Sequence, residues 1–213
     1  METGPAQGPT GPQTTLQRQK RQVTVDALVH AAQRGLTEYG FDVTVDDIAA
    51  LADVGRRTVF RHFATRDDLL LAALAASTEE HMRGIPQYPG GDWEAWLAEV
   101  TAVMHRVAAD AGRLSWEART RRLPPRLAAS VAENRGAIER VHAGIAATLW
   151  EAAGGRGTPP ERLRRIMAVH LNPLFTHTVV HEAGGTAELA AELAANAIAT
   201  AVRRLLDDRT TSP

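Results

Sequence analysis

The sequence predicts an all-α protein of about nine helices, with a small N-terminal helix-turn-helix unit ahead of a larger helical domain. Three observations carry this. Apolar residues recur with a period near 3.6 along most of the chain, and no window alternates with period two long enough for a strand. Glycines and prolines gather at 84–91, 124–125, 154–160 and 184–185, cutting the chain into helix-length pieces. Two short helical segments joined by a tight turn follow the first amphipathic one, around 44–63.

Composition narrows the function classes. Apolar residues are 44% and charged residues 23% of the 213, which excludes a chain disordered throughout. No run approaches the ~18 uninterrupted apolar residues of a membrane span. Residues 1–15 lack the basic start and apolar stretch of a secretory signal. There are no cysteines, so disulfide scaffolds, thiolate metal sites and cysteine nucleophiles are excluded. A cytoplasmic protein without membrane partners is expected.

Residues 1–15 carry Gly4, Pro5, Gly8, Pro9, Gly11 and Pro12 and read as a disordered tail. Residues 16–22 are polar and basic and read as an arm that orders on contact. Val25, Leu28, Val29, Ala32 and Leu36 make one helical stripe, with Thr24 to cap it and Gly40 past its end. Phe41 returns to the core. Thr44 with Asp47 resembles a capping box for a second helix ending near Ala52. Ala52-Asp53-Val54-Gly55 reads as a turn, in which Asp53 tolerates a left-handed backbone and Gly55 caps the next helix. The third helix runs from Arg56 to Phe63. Its wheel puts Val59, Phe60 and Phe63 inward and Arg57, Thr58, Arg61 and His62 outward. A fourth helix begins at Asp67–Asp68 behind Thr65 and reaches about Met82 through Leu69, Leu70, Ala73 and Leu74.

After the loop at 84–91, Trp93, Trp96, Leu97, Val100, Met104 and Val107 mark one helix. Pro124 and Pro125 open another, marked by Leu127, Val131, Ile138, Val141, Ile145 and Leu149. Pro159 and Pro160 open an eighth, running to Gly184 and Gly185, and a last alanine-rich helix spans about 187–207. The expected organisation is an arm at 1–20, a helix-turn-helix domain at 21–66, a larger helical domain at 67–208, and a tail at 209–213.

The formal net charge is −1, which by itself does not point to nucleic acid. Its distribution does. From Arg18 to Arg66 there are eight basic and six acidic residues, and five of the eight bases sit in clusters at 18–21 and 56–57. Clustered bases make a local field that a near-zero total conceals.

A helix-turn-helix needs a second helix that buries one side and offers the other to a major groove about 12 Å wide. Residues 56–63 meet that requirement, with guanidinium groups suited to guanine edges or phosphate. On periodicity alone, a charged outer face is most simply a solvated surface. A resemblance selects the functional reading. Gly40-Phe41, Val43-Thr44-Val45-Asp46-Asp47-Ile48-Ala49, Ala52-Asp53-Val54-Gly55, Thr58-Val59-Phe60-Arg61-His62-Phe63 and Arg66-Asp67-Asp68-Leu69-Leu70 follow the pattern of the TetR family of transcriptional regulators. The match covers residues 24–74. Gly55 stands where the family usually has a serine that caps the recognition helix.

The resemblance implies that 67–208 is an effector-binding and dimerisation domain, and that a homodimer binds a near-palindromic double-stranded DNA operator, most simply as a repressor released by a small-molecule effector. It assigns Thr44 to phosphate at the start of the second helix. Arg57 and Thr58 would reach base edges, with Arg56 beside them. Arg61 and His62 would touch bases or backbone one turn on, and Arg66 would contact phosphate. Arg18, Lys20 and Arg21 would form a minor-groove arm.

In the C-terminal part, Leu163, Ile166, Met167 and Leu174 mark one face of the eighth helix, and Leu171, Phe175 and Val179 another. A helix apolar nearly all round needs cover on every side, so the last two helices are the expected dimer contact, as a four-helix bundle. Trp96, Met104, His105, Trp116, Trp150, His170, Phe175 and His177 are candidate pocket residues, although aromatic residues in a helical stripe usually just pack. His170, His177 and His181 share the stripe of Leu163. His177 and His181 have a metal-compatible i, i+4 spacing, but no metal or other cofactor is expected. The alternatives are a metal-dependent enzyme and an adaptor dimer that does not bind DNA. No nucleophile–base grouping or phosphate-binding glycine motif supports an enzyme.

Overall fold

The computed structural model describes residues 15–210. The tails expected at 1–14 and 211–213 lie outside the described residues. Within them there are ten α-helices and no strand: α1 (Thr15–Tyr39), α2 (Val45–Leu51), α3 (Arg56–His62), α4 (Arg66–Arg83), α5 (Trp93–Asp110), α6 (Gly112–Thr120), α7 (Pro125–Ala152), α8 (Glu161–His170), α9 (Pro173–His177) and α10 (Ala187–Thr210). A 3₁₀ turn (Gly40–Asp42) follows α1, and a π-helical turn (Thr178–Glu182) follows α9. No described helix is long and apolar enough to cross a membrane.

The all-α expectation holds, and the first four helices form where the local signals put them. Thr44 caps α2 in a full capping box with Asp47, and Thr65 does the same for α4 with Asp68. Asp53 has φ 52, the left-handed turn conformation. Gly55 caps α3 through its extended backbone alone, without a side-chain hydrogen bond.

Four expectations are corrected. First, α1 starts at Thr15, so Arg18, Lys20 and Arg21 belong to its exposed opening turns and not to an irregular arm. Thr24 lies inside the helix and donates its hydroxyl to the Lys20 carbonyl at 3.0 Å. Good helix formers such as Gln17, Arg18 and Lys20 extend the helix beyond its buried stripe. Second, Gly112, at φ 41, ends α5 and starts α6, a helix too poor in apolar residues to show a stripe. Third, the expected eighth helix is broken. Pro173 lacks an N–H, and Asn172 caps a new helix by accepting the Leu174 N–H at 3.0 Å. The stripe joining His170, His177 and His181 is therefore not one straight face. Fourth, α10 runs to Thr210, two residues into the expected tail.

Two cores organise the chain. The first joins Leu28 and Leu36 of α1, Phe41, Val43, Ile48 of α2, Val59 of α3 and Leu69 and Leu70 of α4, with Leu127 of α7. The second joins Trp96, Leu97 and Val100 of α5, Leu149 and Trp150 of α7, Leu163 and Met167 of α8, and Ile198 and Val202 of α10. Helix α4 therefore roots its first half in the N-terminal core, while α6 packs against both α1 and α9. Burial of each such leucine contributes roughly 1.5–3 kcal/mol.

Candidate nucleic-acid interface

Helix α3 buries Val59 almost completely in the N-terminal core, with Phe63 packed against the same core. Arg56, Arg57 and Arg61 are exposed, and Thr58 is half-buried. The expected faces are otherwise exchanged at two positions. Phe60, expected inside, is 43% exposed. His62, expected outside, turns inward, and both its ring nitrogens are buried without a partner. Burial first, then the charges of Arg61 and Arg21, push the His62 pKa below the ordinary imidazole value. A seven-residue helix makes only two turns, so a rotation of half a residue decides which of two adjacent side chains is buried.

The outer surface is pre-ordered by local pairs. Arg56 reaches Asp46 at 2.8 Å and lies over the Phe60 ring, 5.4 Å from its centre. The Thr44 hydroxyl is engaged, donating to Asp47 Oδ2 at 2.7 Å and accepting the Asp47 N–H at 3.1 Å. Arg66 faces the protein. Its Nε donates to the Val43 carbonyl at 2.6 Å, its Nη2 donates to the Phe41 carbonyl, and its Nη1 lies 3.3 Å from Asp67. Those bonds tie the start of α4 to the loop before α2. Arg57 and Arg61 are the expected α3 cations that remain fully presented.

That loop is also held from the other domain. Glu117 of α6 is 7% exposed and accepts the Phe41 N–H at 2.9 Å. Arg113 Nε lies 2.5 Å from the same carboxylate, and Arg121 bridges it, at 3.5 Å, to Asp42, at 2.6 Å. Burial pushes the Glu117 pKa up, but the Phe41 N–H and the two guanidiniums outweigh it and hold the group below its ordinary value. No local pattern pointed to Glu117, which lies 76 residues from its partner.

The candidate pocket residues separate into groups. Trp96 and Trp150 are buried core, with their indoles donating to the Pro86 and Arg156 carbonyls at 3.0 and 3.4 Å. Met104 packs beside them. His105, His170 and Phe175 do come together: Phe175 lies 5.8 Å from the His105 ring and 5.2 Å from that of His170. His105 is 1% exposed and shares a 2.8 Å hydrogen bond with Thr176 through Nδ1, while its Nε2 is buried without a partner. Desolvation, then the charge of His170, push its pKa down to about 4. His170 donates Nδ1–H to the Ile166 carbonyl at 2.8 Å. Trp116 stacks on His177 at 4.6 Å, and His177 meets His181 at 4.7 Å. Among the described residues, no three His, Asp or Glu side chains converge as metal ligands. Sequence reasoning missed a further polar group. His81 Nδ1 on α4 and His142 Nε2 on α7 are buried without partners. His142 is pushed down to about 4 by burial and by the charges of His81 and Arg119.

Comparison with known proteins agrees with this geometry. Residues 28–73 match the family model described as bacterial regulatory proteins, tetR family. The HTH-type transcriptional regulator TcmR of Streptomyces glaucescens is 31% identical over 102 residues, covering 46% of this chain and 44% of that protein, so the match spans less than half of the curated relative. The fatty acid degradation regulator FadR of Bacillus halodurans superposes with a TM-score of 0.64 at 17% identity, over 82% of this chain and 94% of its own. A tetR-family transcriptional regulator of Streptomyces coelicolor gives 0.62 at 16%, over 84% and 78%. FadR of Bacillus subtilis, solved in complex with stearoyl-CoA, gives 0.59 at 16%, over 81% and 96%. At these identities the structures share the fold.

Proposed function

Since the chain belongs to the TetR family of transcriptional regulators, we propose that it is a sequence-specific DNA-binding regulator, acting as a dimeric repressor that a small-molecule effector releases from a near-palindromic operator. The observation that carries this is the outer face of α3. It presents Arg56, Arg57 and Arg61 around an exposed Phe60, while Val59 anchors the helix in the core. Guanidiniums so placed read guanine O6/N7 or hold phosphate. Arg57 is assigned to a base edge, with Thr58 beside it, and Arg61 to the backbone or a base. Thr44 sits where the α2 N-terminus would meet phosphate. Arg66 and His62 act from within, through the loop and the core. An enzymatic role forms no part of this reading, because the matching family and the curated relative are transcriptional regulators.

The dimer is assigned to α8 and α10, where Val169, Leu189 and Leu193 are exposed leucine and valine side chains. The effector is assigned to the region of His105, His170, Phe175 and His177 between α5, α6 and α9. A ligand shifts DNA binding only if it favours one arrangement of the two reading units over another. Helices α4 and α6 are the connections through which that preference would act. A bacterial cytoplasm is the matching location.

The test is fluorescence-anisotropy binding of the purified protein to the intergenic DNA beside its own gene, at two salt concentrations, with Arg57→Ala as control. The expected result is tight binding that weakens with salt, because neutralising phosphates releases counterions. Arg57→Ala should cost about 1–3 kcal/mol and relax specificity at one position. Binding no tighter than to random DNA would overturn the assignment for that site. An equal loss on matched and mismatched sites would move Arg57 from base to phosphate.

A further inference from the structure

The Glu117 carboxylate closes a joint between α6 and the turn that follows α1. It sits against Gly40, whose φ of 63 is a left-handed conformation, and a Cβ there would overlap the carboxylate. It receives the Phe41 N–H, a donor at the start of the 3₁₀ turn that follows α1, where the turn itself supplies no acceptor. Arg113 and Arg121 hold it from its own helix and reach Asp42 on the loop, at 3.5 and 2.6 Å. From the opposite side Arg66 holds the Phe41 and Val43 carbonyls. The loop that sets where α2 begins is therefore gripped by α4 and by α6.

The preceding residue of α6 faces elsewhere. The Trp116 indole stacks on His177 at 4.6 Å with 20° between the planes. His177 ends α9, immediately before the π-helical turn that carries His181. A π turn inside a helical run is often a functional irregularity, since its wider hydrogen bonding leaves the segment easier to rearrange. Here the Ala183 N–H reaches back to the Thr178 carbonyl at 2.9 Å. Two adjacent residues on one short helix thus hold this irregular segment and the DNA-reading unit.

We propose that Glu117 is the positioning residue that sets the DNA-reading unit against the C-terminal domain, and that α6 carries the state of the α9–π segment to it through the neighbouring Trp116–His177 stack. Helix α6 has nine residues, short enough to act as a single lever. A displacement of Trp116 changes the angle at which the Glu117 carboxylate meets the Phe41 N–H. Loss of that bond releases the loop, and with it the orientation of α2 and α3. The functional consequence rests on the DNA-binding reading above; the mechanical coupling does not.

The test is residue-resolved hydrogen–deuterium exchange of the full chain, comparing wild type, Glu117→Gln, Glu117→Ala, Trp116→Ala and the double variant Trp116→Ala/Glu117→Ala. The Phe41 amide is the reporter and the Ile48 amide, inside α2, is the control. Glu117→Ala is expected to speed Phe41 exchange at least tenfold. Glu117→Gln keeps an acceptor and should restore most of the protection. Trp116→Ala, at a residue paired with His177, should speed Phe41 exchange several-fold in the wild-type background and have no further effect once Glu117 is alanine. That non-additivity is the signature of one shared joint. Unchanged Phe41 exchange in Trp116→Ala would overturn the coupling, as would fully additive effects. If Glu117→Ala unfolds the N-terminal unit, seen as equal loss at Ile48, then Trp116→Ala and its double variant with Glu117→Gln decide the question. DNA affinity is measured alongside. Coupled exchange in a protein that binds no DNA would overturn the regulator reading and leave the joint standing.

Discussion

The guanidinium of Arg56 lies over the ring of Phe60, 5.4 Å from its centre, on the outer face of the recognition helix. An aromatic ring that is 43% exposed contributes little to the core it stands outside. If the proposed function holds, this ring would offer apolar contact to a thymine methyl, with Arg56 fixing its orientation. Phe60→Ala is therefore expected to change the urea midpoint by less than about 0.5 kcal/mol equivalent. Operator affinity should fall, and replacing thymine by uracil at the contacted position should weaken wild type but not the variant. A large loss of stability with unchanged affinity would put Phe60 back in the core.

Arg66 supports the reading unit from inside. It donates to the carbonyls of both Phe41 and Val43, two bonds in the fork geometry that only a guanidinium provides. Charge-assisted bonds of this kind contribute about 1.5–3 kcal/mol each. Arg66→Lys offers one point donor and should recover less than half of the stability that Arg66→Ala loses. Chemical unfolding of both variants checks this. The salt dependence of DNA binding should barely change, whereas loss of a phosphate contact would lower its slope by about one. A lowered slope would return Arg66 to the phosphate role that the resemblance implies.

The buried imidazoles make stability depend on pH. Burial, and then the charge of His170, push His105 down to about 4. The unfolded chain titrates near the ordinary value of about 6.5. Between these values the unfolded state binds the proton and the folded state does not, so stability is fully present above about 6.5 and is lost as pH falls toward 4. A shift of this size corresponds to a loss on the order of 2 kcal/mol by pH 4.5, since one pKa unit is ~1.4 kcal/mol. His142, also pushed down to about 4, adds in the same direction. Urea unfolding at pH 7.5, 6 and 5 should show a falling midpoint. His105→Gln should flatten that slope, and an unchanged slope would mean that His105 titrates normally in the fold.

These histidines also show where sequence reading stops. The caps at Thr44 and Thr65 and the left-handed Asp53 were legible because each depends on residues within three positions. The side of α3 that is buried was not. Phe60 and His62 differ by two positions on a two-turn helix, and the placement of α1 and α2 decides between them. Asn172-Pro173 was readable as a break, but the apolar run on both sides masked it. Helix α6 left no stripe, with Leu114 and Ala118 only partly buried. Glu117 left none either, because the Phe41 N–H that meets its buried carboxylate is brought there by folding from 76 residues away. His81 and His142 are brought near each other by the packing of α4 on α7, which no local spacing encodes.

The dimer assignment makes the last prediction. Leu189 and Leu193 are four apart on α10, so they share one face, and they are 42% and 45% exposed. Helix α8 packs beside α10 and leaves Val169 60% exposed, next to an open groove of about 610 Å³ lined by Ile166 and Arg165. Stable interfaces bury about 800 Å² per partner, so an α8–α10 contact would need to involve most of both helices' outer faces. A carboxylate placed on such a face would be desolvated without a partner at the two-fold contact, where each copy meets its own equivalent. Leu193→Glu is therefore expected to sediment as a monomer while keeping its helical circular dichroism, because the leucine is not part of either core. Its operator affinity should drop by orders of magnitude, since a single reading unit loses the second half-site. Single-half-site binding should change little. A variant that remains dimeric would place the contact on another surface, and a wild type that sediments as a monomer would remove the dimer altogether.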